Sequence, residues 1–192
     1  MIRSIFARVM KRVVVAALGF AVGVGHAETG RIVDKATGQP IANSFAIAIW
    51  QGDVPNPVIS SLRCYSFAIV KADSTGTFSL PDRAPEPAFG LVNKEKVVGA
   101  FAPGYRMPTS RPALNPTIEM VKISGDEKRL RSLISLVPAE CVVDRREKEL
   151  LPALRVALEE AKSIAAGNAD LERKYVRTIE RTIDRISKGK VE

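Results

Sequence analysis

Ten of the twelve prolines fall between Glu28 and Val121, and only Pro138 and Pro152 come later. Proline has no backbone N–H to give to a helix interior or a central strand. The earlier stretch is therefore confined to short strands broken by turns. After Val121 charged residues alternate with Leu, Ile and Ala, a texture that suits helices. Two regions are expected, strands over 28–122 and a helical extension of two or three helices over 123–192.

A third segment precedes them. Met1–Arg12 carries Arg3, Arg8, Lys11 and Arg12 and no acid, and Val13–Val24 has no polar side chain. Gly25-His26-Ala27 then sets small residues three and one before a cut. This is the three-part layout of a secretory signal peptide, residues 1–27, cleaved after Ala27. As a helix the apolar run would reach roughly 18 Å, short of the ~30 Å hydrocarbon core, so it reads as a leader and not as an anchor. The mature chain is expected to be exported, periplasmic or secreted for a bacterial source, and to meet the membrane only during export.

The leader changes the chemistry of what remains. The whole chain has a net charge of +8, and residues 28–192 keep 25 basic and 21 acidic side chains, a net +4. Acids interleave with bases, so no nucleic-acid partner is expected. The single histidine, His26, departs with the leader. Imidazole bases and imidazole metal sites are thereby excluded from the mature chain. No catalytic residue, cofactor or metal is expected. Asp53, Asp73 and Asp82 lack the ligand spacing of a calcium loop and read as turn residues. Glu159 and Glu160 are adjacent and diverge by ~100° around a helix, too far apart to face one substrate. A hydrolase built on carboxylates or on a Ser–Lys pair is the enzymatic alternative.

Cys64 and Cys141 both lie in the exported part. An even, minimal pair in an oxidising compartment points to one disulfide, against the rival of a reactive thiol or metal pair. No CxxC spacing is present, and two sulfurs without histidine make a poor zinc site.

Strands are expected at Gly30–Asp34, Ser44–Trp50, Arg63–Lys71, Thr77–Leu80, Val97–Ala102 and Thr117–Ile123. Six or seven strands at this density suggest an antiparallel sandwich. Phe45, Ile47 and Ile49 alternate with Ser44, Ala46, Ala48 and Trp50, and Tyr65, Phe67 and Ile69 with Cys64, Ser66, Ala68 and Val70. Side chains alternate across a sheet, so each strand has a large-residue face and a small-residue face. The large face is expected to form the sandwich core. The small face, with Cys64 on it, is expected to lie under the helices. Trp50 and Tyr105, near strand ends, either cap the hydrophobic core or form an aromatic platform holding a sugar ring or peptide.

In the second region Asp126–Leu136 reads as a helix stopped by Pro138. Asp144-x-x-Glu147 resembles a capping box opening a helix to about Ala166, with Leu150, Leu151, Leu154, Leu158, Ala161 and Ile164 as its stripe. Pro152 either kinks that helix or sits in its true first turn. Gly167-Asn168 marks a stop and restart, and Asp170–Ser187 sets Leu171, Tyr175, Ile179, Ile183 and Ile186 on one face. Left exposed, that face would dock a partner protein, the adaptor alternative.

Three segments carry a family resemblance. Gly30-Arg31-Ile32-Val33-Asp34-Lys35-Ala36-Thr37-Gly38-Gln39-Pro40-Ile41 resembles the opening hairpin of carboxypeptidase regulatory-like domains. Asp73-Ser74-Thr75-Gly76-Thr77-Phe78-Ser79-Leu80-Pro81 is similar to their second signature, and Ala102-Pro103-Gly104-Tyr105 to their late turn. The resemblance covers about residues 28–121 and none of the helices. It implies a transthyretin-like β-sandwich without catalytic residues of its own. Taken together, the expectation is a non-enzymatic binding or scaffolding module whose partner is an envelope or extracellular protein or carbohydrate.

Overall fold

The computed structural model describes residues 27–55, 61–82, 90–106, 117–134 and 146–188. Its strands are β1 (Glu28–Asp34), β2 (Phe45–Val54), β3 (Ser61–Lys71), β4 (Thr77–Leu80), β5 (Val92–Phe101), β6 (Tyr105–Arg106) and β7 (Thr117–Lys122). They form two sheets, one ordered β4-β1-β7-β6 and the other β3-β2-β5. The fold is mainly β with a helical C-terminal region.

One pairing departs from the antiparallel expectation. β1 and β7 run parallel, with Arg31 opposite Thr117 and Asp34 opposite Met120. A parallel pair cannot be closed by a tight hairpin and needs a long connection. Here that connection contains all the other strands. β2 and β5 also run beyond the Trp50 and Val97 boundaries expected for them. Polar side chains pair across the added rungs, Gln51 Nε2 donating to Glu95 Oε1 at 2.5 Å and Asn93 Nδ2 to Asp53 Oδ2 at 2.9 Å.

The two faces of the β3-β2-β5 sheet are used the opposite way round from the expectation. Ala46, Ala48, Ala68, Ala100 and Trp50 pack with Ile32, Phe78, Leu80, Ile118 and Met120 of the other sheet. Phe45, Ile47, Phe67 and Phe101 pack with Leu130, Leu133, Leu150, Leu154, Tyr175 and Ile179 from the helices. So the small-residue face is buried within the sandwich, and the large-residue face lies under the helices. Sheets stack ~10 Å apart, and alanine on one layer leaves that gap for large side chains from the other.

Cys64 changes sides as well. The β2–β3 register runs Trp50–Ser66 and then Gln51–Cys64, which leaves Tyr65 unpaired as a bulge. One extra residue inverts the alternation beyond it. Tyr65 consequently packs with the inter-sheet cluster, and Cys64 with the helix-facing one.

The helical region comprises α1 (Asp126–Ile134), a 3-10 turn at Arg146–Leu150, α2 (Leu151–Ala165), α3 (Ala169–Leu171), a π turn at Glu172–Val176 and α4 (Arg177–Lys188). Pro152 stands in the first turn of α2, where a missing N–H costs nothing. Gly167, at φ +80°, ends that run. The Asn168 side chain then caps the next one, accepting from the N–H groups of Asp170 and Leu171 at 3.2 and 3.1 Å. Pro138 and Asp144 lie outside the described residues. The deepest positions of α2 include Ala153, Ala157, Ala161 and Ala165, one per turn. Small side chains there let α1, the π turn and α4 pack closely against it. Tyr175, Ile179 and Ile186 are buried, with Leu171 and Ile183 half-buried against the same core. The stripe that the adaptor alternative needed is thus taken up inside the molecule. No described helix is long and apolar enough to cross a membrane.

Candidate functional site

The three segments of the family resemblance are turns, and β1 joins them. Asp34 Oδ1 accepts from the N–H groups of Ala36 and Thr37 at 2.7 and 3.1 Å, and Gly38 supplies the positive φ of that turn. Asp34 Oδ2 accepts from the Tyr105 hydroxyl at 3.0 Å, tying the first turn to the third. Asp73 Oδ1 accepts from the Thr75 N–H, the Thr75 hydroxyl and the Thr77 N–H at 2.7 to 2.9 Å. Arg31 donates to the Thr75 carbonyl, and the Ile32 N–H to the Gly76 carbonyl at 2.8 Å, tying the second turn to β1. Gly76 has φ +75°, and a Cβ there would stand 2.6 Å from the Ile32 carbonyl oxygen. Only glycine fits.

Electrostatics follow this wiring. Partial desolvation pushes the Asp34 carboxyl upward, but the Tyr105 hydroxyl and the two N–H donors outweigh it, and its pKa lies below the ordinary value. For Asp73 the Thr75 hydroxyl and the Thr77 N–H lower the pKa. Desolvation, then the hydrogen bond to Asp34, raises the Tyr105 phenol. Both carboxylates are held in their charged form by the donors they cap.

Burial places Trp50 in the core, the first of its two expected readings. Trp50 is only 5% exposed and lies in the inter-sheet core. The Lys96 ammonium sits 5.5 Å over its ring while also donating to Glu28 and the Pro81 carbonyl. Tyr105 is half-buried against the same core and turned towards Asp34. Strand alternation turns Trp50 towards the other sheet, so its ring offers no open face. Asp53 and Asp73 are engaged in side-chain hydrogen bonds of their own, and among the described residues no three His, Cys, Asp or Glu side chains come together to hold a metal. Cys64 is partly buried on β3, and Cys141 lies outside the described residues.

Beside the turns is an open cleft of about 490 Å³, lined by Ala42, Asn43, Pro103, Arg155, Val156, Glu159 and Glu160. Pro103 belongs to the third turn, and Ala42 and Asn43 follow the first hairpin. The other wall is one side of α2. Arg129 of α1 pairs with Glu160 and stands 3.8 Å from Asp126, tying that wall to α1. Arg155 and Glu159 are exposed, one helical turn apart, and Val156 lies between them. The result is an apolar floor of Pro103 and Val156 under a rim of opposite charges, suited to a polar ligand with an apolar face.

Sequence reasoning placed Glu159 and Glu160 on diverging directions, yet both line this cleft. It missed Arg155 and Asn43. The signal for Arg155 was its spacing of four from Glu159. Nothing in the sequence pointed to Asn43, whose φ of +53° is set by the tight entry into β2. Comparison with known protein families, with curated proteins and with solved structures finds no match for this chain.

Proposed function

We propose that residues 28–192 are an exported binding or scaffolding module of the cell envelope, a transthyretin-like sandwich of the carboxypeptidase regulatory-like type. It holds a carbohydrate or protein ligand in the cleft beside α2 and catalyses no reaction. The observation that carries this reading is the wiring of the three signature turns to β1. Their carboxylates serve backbone N–H groups and a tyrosine hydroxyl, which suits a scaffold, and the cleft with its charged rim opens next to them. The leader suits export, since β1 begins at Glu28, directly after the expected cut.

A Cys64–Cys141 disulfide belongs to the same reading. Cys64 faces the helical core, and β3 packs against the turn at Arg146–Leu150, five residues beyond Cys141. A five-residue stretch spans at most about 18 Å, a reach that supports the pairing. Closing so long a loop would stabilise the fold by roughly 4 kcal/mol. Non-reducing peptide mapping should recover the two cysteines linked, and free thiols at both positions would remove the clamp.

The functional test is a glycan, peptidoglycan and peptide binding screen of residues 28–192, repeated with Arg155→Ala and Glu159→Ala. Binding weakened by both substitutions supports the cleft. Binding indifferent to them moves the site elsewhere, and turnover of a ligand traced to the protein's own side chains overturns the reading. Mass spectrometry of the exported protein should find it starting at Glu28.

A further inference from the structure

Positive charge is unevenly placed in this molecule. From Glu172 to Lys190 there are seven basic side chains (Arg173, Lys174, Arg177, Arg181, Arg185, Lys188, Lys190) and three acidic ones, a surplus of four. Residues 28–192 as a whole have the same surplus of four, so the rest of the mature chain is neutral on balance. Helix α4 buries Ile179 and Ile186 and turns the opposite side to solvent. On that side Arg177, Arg181, Arg185 and Lys188 recur at steps of three and four; of the helix's two exposed acids, Asp184 lies among them and Glu180 turns to Lys162 at 3.4 Å. Lys188 pairs with Asp184 at 2.7 Å, and Arg185 reaches Glu147 at 3.6 Å. Arg177 and Arg181 are exposed and have no carboxylate partner among the described residues.

We propose that the outward face of α4 is an electrostatic docking surface for an anionic phospholipid bilayer, with Arg177 and Arg181 at its centre. A straight row of cations along one helix matches a plane of headgroup phosphates. The apolar side of the helix is committed to the protein core, so the contact is peripheral, without insertion, and sensitive to salt. The face carries no aromatic side chain on which bases would stack, which favours lipid over single-stranded nucleic acid. The choice of a bilayer also rests on the export reading, which puts the mature chain among membranes.

The test uses residues 28–192 with vesicles of phosphatidylcholine alone and with vesicles that also contain phosphatidylglycerol. Co-sedimentation is expected only with the second kind, and it should fade as salt rises. Each basic residue at an anionic surface is worth roughly a fivefold change in partitioning. Arg177→Gln with Arg181→Gln should then lower binding roughly 25-fold, with circular dichroism and the melting midpoint unchanged. Equal binding to both vesicles, or binding to anionic vesicles that the double variant retains, overturns the proposal. So does tighter binding to duplex DNA that the same variant loses, which assigns the face to nucleic acid. The mass of the exported protein tests the export reading separately, so the two failures are distinguishable.

Discussion

The two faces of the β3-β2-β5 sheet solve one packing problem with opposite choices of side chain. Towards the other sheet the strands offer alanine and receive Ile32, Phe78, Leu80, Ile118 and Met120. Towards the helices they offer Phe45, Ile47, Phe67 and Phe101 and receive leucines, Tyr175 and Ile179. A sheet sandwiched between two layers thus has no polar side along its centre, and residue size decides which neighbour each face takes. It also means that the helices are part of the fold's interior, although composition changes sharply where β7 ends.

The comparison can be broken most severely by removing one neighbour. Ending the chain at Lys122 would leave the phenylalanine face open to water, and residues 28–122 are expected to aggregate or fail to fold. A monomeric 28–122 fragment with a cooperative unfolding transition would show that the helices are dispensable. Next in size is Phe67→Ala, which opens a cavity under the helices and should cost about 3–5 kcal/mol in chemical denaturation. Gly76→Ala forces a side chain into positive φ against the Ile32 carbonyl and should cost about 1–3 kcal/mol, read as a lowered melting midpoint. Ala48→Leu overfills the inter-sheet layer and should cost about 1–3 kcal/mol. A neutral result there would mean that the alanine face has room to spare.

The smallest effect is a pH dependence. Asp34 and Asp73 have folded-state pKa values below the ordinary value of 3.8. Such groups stabilise the fold above that value, and the stabilisation drains away as pH falls through their folded-state values. The melting midpoint should hold through mildly acidic pH and decline below about pH 4. The double variant Asp34→Asn, Asp73→Asn should show a shallower decline, and an unchanged acid limb would show that other carboxylates govern it.

Local chemistry explains which parts of this architecture could be read from residues alone. The turns at Asp34–Gly38 and Asp73–Gly76, the restart at Asn168 and the alternation of β2 and β3 depend on neighbours within a few positions. Sequence therefore placed them. What failed depended on distant partners. Alternation shows that two faces differ but not which layer each will meet, so the cover was assigned to the wrong side. The bulge at Tyr65 arises because β2 and β3 fall out of step, and no single strand reveals it. Which layer would bury Trp50 was hidden, because its cover by β1, β4 and β7 is a property of the assembled sandwich. The cleft combines Asn43, Pro103 and Arg155 from three separate stretches, and only the Arg155–Glu159 spacing was visible beforehand.

The parallel pairing of β1 with β7 also sets a timetable. The strand that begins at Glu28 rests beside the last strand of the β region, with Arg31 opposite Thr117. As the polypeptide emerges N-terminus first, from a ribosome or through a translocation pore, β1 has one side vacant until almost the entire β region has followed it. Closure across so long a separation is the entropically slow event in folding. The nascent chain therefore stays threadable until late, a trait that the proposed export would require.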